Sequence, residues 1–173
     1  MDSSPSIFAT ESLSVALPGY RWVEFITHKA AQLLSMTSSR QVLETLIADP
    51  AFINEYLRFS DAAHGPYLVH KIHPENFLEQ PLHSESHPVM HAILFGTGVY
   101  EGGAPEPDTE TLEKVSSRLA EIPKDCSYFL LNLDPTKDPD MLSELGWIFA
   151  EYSQHFFVSR AKDCIYVVTV GCD

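Results

Sequence analysis

Residues 20–35 read YRWVEFITHKAAQLLS, and the architecture assigned to the chain turns on them. Apolar side chains fall at Val23, Ile26, Ala30, Leu33 and Leu34. That spacing of three and four predicts a helix. On its N-terminal side, Leu13, Val15 and Leu17 alternate with polar or small residues and then meet Pro18-Gly19, the pattern of a short strand closed by a turn. On its C-terminal side, Ser38 with Gln41 forms a capping-box pattern for a helix carrying Val42, Leu43, Leu46 and Ile47. Asp49-Pro50 repeats the signal, N-cap followed by a first-turn proline, for a helix to Phe59. The first third is therefore expected to be helical, with residues 1–11 flexible.

Further along, HAILFGTGVY (91–100) reads as a strand entering a glycine turn. Residues 108–122 read as a helix with Leu112, Val115, Leu119 and Ile122 inward, 126–133 as an apolar strand, and 138–153 as a helix opened by Asp138-Pro139. Residues 156–159 and 164–170 read as strands joined at 160–163, a hairpin. Alternation of strands and helices points to an α/β or α+β fold in one globular domain, residues 1–173, with a mixed sheet covered by helices.

A chain of 173 residues is long enough to bury a core without staples, and 45 % hydrophobic with 20 % charged residues is a globular composition. No apolar run approaches the roughly 20 residues of a bilayer span, and the N-terminus lacks the basic and apolar regions of a secretory signal. Cys126, Cys164 and Cys172 make an odd number without CxxC spacing. Reduced thiols in the cytoplasm are the expectation. KDCSY (124–128) recurs as KDCIY (162–166); each copy reads as a polar turn entering a buried strand, with a small cysteine packed at its start.

The formal net charge is −13. Residues 101–151 hold twelve acids against four bases. Such a surface repels nucleic-acid backbones and anionic membranes but favours a basic protein partner, or serves solubility alone. If the helices at 108–122 and 138–153 adjoin, Glu110, Glu113 and Glu121 on one, with Asp140, Glu144 and Glu151 on the other, form one negative field. The function this implies is binding of a basic partner, in the manner of an inhibitor or immunity-type protein.

Six of the eight histidines lie between His64 and His91. In an extended segment His83, Glu85 and His87 share a face, and His91 joins them if Pro88 leaves the register intact. With His70 or His73 as a further ligand, such a set suits zinc or iron in a small metal-dependent hydrolase or non-haem iron oxygenase, Glu85 acting as ligand or base. The order is not HExxH, and no GxSxG elbow or phosphate-binding glycine loop is present. Gly96-Thr-Gly98 reads as a turn, since a dinucleotide fingerprint needs glycine where Glu101 stands. The same histidines also suit a surface that gains charge near pH 6. A Cys126–His155 pair is the remaining nucleophile–base combination, with nothing in the sequence to bring it together.

Overall fold

The computed structural model describes residues 7–30, 38–53, 61–82, 87–96, 104–144 and 146–172. Eight strands and three α-helices follow in chain order: β1 (Ile7–Leu17), β2 (Arg21–Ala30), α1 (Ser39–Ala48), β3 (Ala63–His64), β4 (Tyr67–Leu68), β5 (Phe77–Gln80), α2 (Pro88–Phe95), α3 (Thr109–Ala120), β6 (Ser127–Leu131), β7 (Glu151–Ser159) and β8 (Cys164–Cys172). Six of them form one sheet in the order β1-β2-β8-β7-β6-β5, and β3 with β4 makes a small separate ladder. Every pairing is antiparallel.

This overturns the expected mixed sheet and helical first third. Within 20–35 the described residues form β2, not a helix; residues 31–37 lie outside the described set. The physical reason is that β2 is an inner strand buried on both sides. Val23 and Phe25 point to one face, while Ile26 and Ala30 point to the other. A two-faced strand places apolar residues at mixed spacings, so Val23, Ile26 and Ala30 match a helical stripe by coincidence. The aromatic and β-branched run Trp22, Val23, Phe25, Ile26, Thr27 favours the strand. The turn from β1 puts Gly19 and Tyr20 in the left-handed region, φ 77° and 60°. At the start of β2, Trp22 lies opposite Gly171 of β8. A Cβ on Gly171 would sit 2.4 Å from the indole ring, so only glycine lets the two meet.

Each face of the sheet carries its own core. The first joins Phe77, Phe129, Phe156, Val158, Ile165 and Val167 to Val42, Leu43 and Leu46 of α1 and to Phe52, Tyr67, Ile72 and Met141 from connecting segments. The second joins Val23, Phe25, Tyr128, Phe157, Val168 and Val170 to Val89 and Ile93 of α2 and Val115 and Leu119 of α3. Two expected elements change class. The expected strand at 91–100 is α2 over its described part, because Pro88 occupies the first helical turn, where its missing N–H costs nothing. The expected helix at 138–153 is instead two short 3-10 turns, Pro139–Met141 and Gly146–Ile148, followed by β7. The expected helix after Asp49 is likewise a 3-10 turn, Pro50–Phe52, within the described residues.

Glu151 shows why β7 starts early. Its carboxylate, expected at the surface, is buried and accepts from Arg21 Nε at 2.9 Å. Arg21 also donates to the carbonyls of Ile93 and Ala92, each at 2.7 Å. Both residues are 2 % exposed and both lie beside Cys172, from opposite sides of β8. One guanidinium thus ties two strands to the C-terminal end of α2, where the Ala92 carbonyl also accepts from the Gly96 N–H and the helix dipole favours a cation. Removing one member strands a buried charge. Arg21→Ala, and equally Glu151→Ala, is expected to cost about 3–5 kcal/mol in urea unfolding. Arg21→Lys should recover little, because an ammonium cannot span three acceptors in the guanidinium's fork.

Candidate functional site

The expected metal ligands are dispersed. His70 is exposed in a 3-10 turn, Val69–Lys71, that packs beside the first core, and His73 lies in the same excursion. His87 and His91 belong to α2, on the opposite face of the sheet. The sheet itself separates His70 from the other two. His87 caps α2: its Nδ1 accepts from the Val89 N–H at 3.3 Å. His91, exposed one turn later, packs its ring on Phe95. His83 and Glu85 lie outside the described residues. Among the described residues no group of three His, Cys, Asp or Glu is placed to hold a metal ion.

The acidic residues are divided in the same way. Glu110 and Glu113 are exposed on α3, over the second face, while Asp140 and Glu144 are exposed beside Met141, over the first. They do not form one field. Glu151 leaves the set altogether, for the reason given above, and Glu121 at the end of α3 accepts two hydrogen bonds from Arg118.

Two histidines outside the expected set are buried in hydrogen-bonded positions. His64 stacks on Phe52, centroids 3.8 Å apart, and its Nδ1–H donates to the Phe52 carbonyl. Its Nε2 faces the Gln154 amide at 2.6 Å, and that amide reaches Thr169 Oγ1 at 3.1 Å. Burial pushes the ring down to about 4, so it is neutral at physiological pH. The Gln154 Oε1 is the atom that faces the ring, and the Gln154 amide N–H donates to Thr169 Oγ1. This is a core network with no opening to solvent.

His155 differs because it borders a cleft. The cleft, about 470 Å³, lies between α2, β6, β7 and the end of β5. His91, Ala92 and Gly96 form one wall, Leu130 and Gln80 another, and Tyr128, Ser153 and His155 the floor. Strand register builds the floor. Leu130 faces His155 directly, so Tyr128 is its diagonal neighbour on the same face, and Ser153 lies two residues before it on β7. Tyr128 Oη lies 2.9 Å from His155 Nδ1, and Ser153 Oγ lies 3.3 Å from Nε2. Burial, with the nearby His87, pushes the His155 ring down to about 3, and burial pushes the Tyr128 hydroxyl up to about 12. Both stay uncharged at neutral pH. No Asp, Glu, Lys or Arg lines the cleft among the described residues. Two of the exposed large hydrophobic residues stand beside it: Leu78 pairs with Leu130, and Phe95 precedes Gly96.

The sequence reading named His155 only with Cys126. That pair is not formed: Cys126 interacts with Ser159, and burial pushes its thiol up to about 11, an inert state. The signal for the true partners was the alternation Ser153, His155, Phe157, hidden while residues 138–153 read as a helix. No protein-family model, curated protein or solved structure matches the chain.

Both low histidine values act on stability in one direction. The unfolded chain takes up these protons near pH 6.5, while the folded chain does so only near 4 and 3. Stability is therefore complete above 6.5 and falls as pH drops through the window below it. Between pH 6.5 and 5 each histidine is expected to withdraw roughly 2 kcal/mol. Urea unfolding at the two pH values checks this, and the His64 and His155 ring resonances should not titrate over that interval.

Proposed function

We propose that the chain is a binding protein for a small, uncharged, partly aromatic ligand held in the cleft. The observation carrying this reading is the cleft's composition: apolar walls around one connected polar group, Tyr128–His155–Ser153. Ligand sites combine these features, at volumes of roughly 300–1,000 Å³. An uncharged lining in a chain of net charge −13 favours a ligand without formal charge. Buried free cysteines, Cys126, Cys164 and Cys172, support a reducing compartment such as the cytoplasm. Among the described residues no helix is long and apolar enough to cross a membrane. Neutral aromatic fragments at millimolar concentration are expected to shift the backbone amide resonances of Gly96 and Ser153 and to raise the melting temperature, since a ligand of the folded state alone stabilises it. Leu130→Trp, filling the cleft, should abolish both effects. Unmoved resonances would end this reading.

A second reading, capture of a basic protein partner, rests on residues 104–113. Glu106, Asp108, Glu110 and Glu113 are all exposed there, with no Lys or Arg among them. Nearby, Arg118 is held by Glu11 and Glu121. The surface also supports the expectation that nucleic acid is not a partner. A protein captured through this patch should associate quickly at low salt and slowly at high salt. Glu110→Lys with Glu113→Lys is expected to slow that association at least about tenfold while leaving the fold intact. Equal association rates for variant and wild type would reduce the patch to a solubility feature.

A further inference from the structure

We propose that Ser153 is a nucleophile, activated by His155, for acyl transfer from a small carboxylic ester bound in the cleft. The inference rests on the cleft being a ligand site and adds chemistry to it. A serine nucleophile needs a base within hydrogen-bond reach and a third group that orients the base. Ser153 Oγ lies 3.3 Å from His155 Nε2, and Tyr128 Oη lies 2.9 Å from Nδ1. Ser153 is half-buried and lines the cleft, whereas the ring behind it is 4 % exposed. The nucleophile therefore faces the ligand while its base is shielded from water.

Tyr128 sets the tautomer. When its oxygen accepts from Nδ1–H, Nε2 carries the lone pair and accepts the serine proton. In the first step the Ser153 proton moves to Nε2, Oγ bonds to the ester carbonyl carbon, and the carbonyl π electrons move onto its oxygen. Those electrons then return, the C–O bond to the leaving group breaks, and the departing oxygen takes the proton from Nε2. Water repeats the sequence on the acyl-serine, giving the carboxylic acid and restoring the hydroxyl. The Gln80 amide, paired across the strands with Tyr128 on the same face, is an available donor to the carbonyl oxygen. Burial keeps His155 a weak base, so the step suits activated esters whose phenol leaving groups depart with little protonation.

The test uses the intact chain, a fluorophosphonate probe and 4-nitrophenyl acetate. On reaction with wild type the probe is expected to lose fluoride as Oγ bonds to its phosphorus, giving one covalent adduct, mapped to Ser153 by peptide mass. Ser153→Ala should carry no adduct, keep the wild-type near-ultraviolet circular dichroism, and hydrolyse the acetate more slowly by on the order of 100-fold. Tyr128→Phe, which removes the orienting oxygen, should slow acylation and displace the acid limb of its pH–rate profile. An unchanged profile removes the positioning role of Tyr128. Absence of an adduct at Ser153, or equal hydrolysis by Ser153→Ala, overturns the proposal. Fragment-induced shifts at Gly96 and Ser153, recorded in parallel, separate the two failures: shifts without an adduct reject the acylation alone, and neither shifts nor adduct rejects the ligand site with it.

Discussion

The buried contact between Arg21 and Glu151 sets the geometry on which both the sheet and the cleft depend. It closes across β8, joining the strand that follows the first turn to the strand that opens the final hairpin. Two charges removed from water are tolerable only when every donor and acceptor is used. Arg21 meets that condition by turning its remaining donors to the carbonyls of Ala92 and Ile93. The ion pair therefore anchors a helix as well as two strands. That helix is the wall of the cleft opposite Ser153 and His155, so the same contact fixes the distance across the candidate site.

Two cores on one sheet explain much of the remaining sequence. A sheet covered on both faces needs apolar residues at successive positions, and β7 and β8 have them, from Phe156 through Val158 and from Ile165 through Val170. Among the buried polar residues of these strands, Gln154, His155 and Thr169 have hydrogen-bond partners. One network lies wholly buried around His64. The other ends at Ser153, whose hydroxyl faces open space. That asymmetry, not histidine density along the chain, distinguishes a core network from a site.

Local signals were legible where one residue's chemistry decided the outcome. Ser38 and Asp108 cap the helices they were expected to open, Asp49 caps a 3-10 turn in place of the expected helix, and the turn at 160–163 joins two strands as expected. Failures came where an element's environment, and not its own sequence, fixed its class. Val23, Ile26 and Ala30 fit a helical stripe because β2 is buried on both sides. Residues 91–100 read as a strand although their described part continues α2 from Pro88. Glu151 read as exposed because its partner stands 130 positions earlier, beyond any local pattern. The cleft was invisible for the same reason. Tyr128, Ser153 and His155 become neighbours only through the register of β6 with β7, and His91 joins them only through the packing of α2.

The placement of β2 beside β8 also bears on how the chain comes to be folded. Residues 21–30 bond to residues 164–172, so the inner ladder of the sheet spans most of the chain. Contacts of such long sequence separation close slowly, because loop-closure entropy is lost before they form. During synthesis, at about 5–20 residues per second, the first hairpin waits on the order of ten seconds for its inner partner. Over that interval Val23 and Phe25 on one side, and Ile26 on the other, lack the strand that later flanks them. Apolar faces and unpaired strand edges exposed in this way are the surfaces through which a nascent chain aggregates.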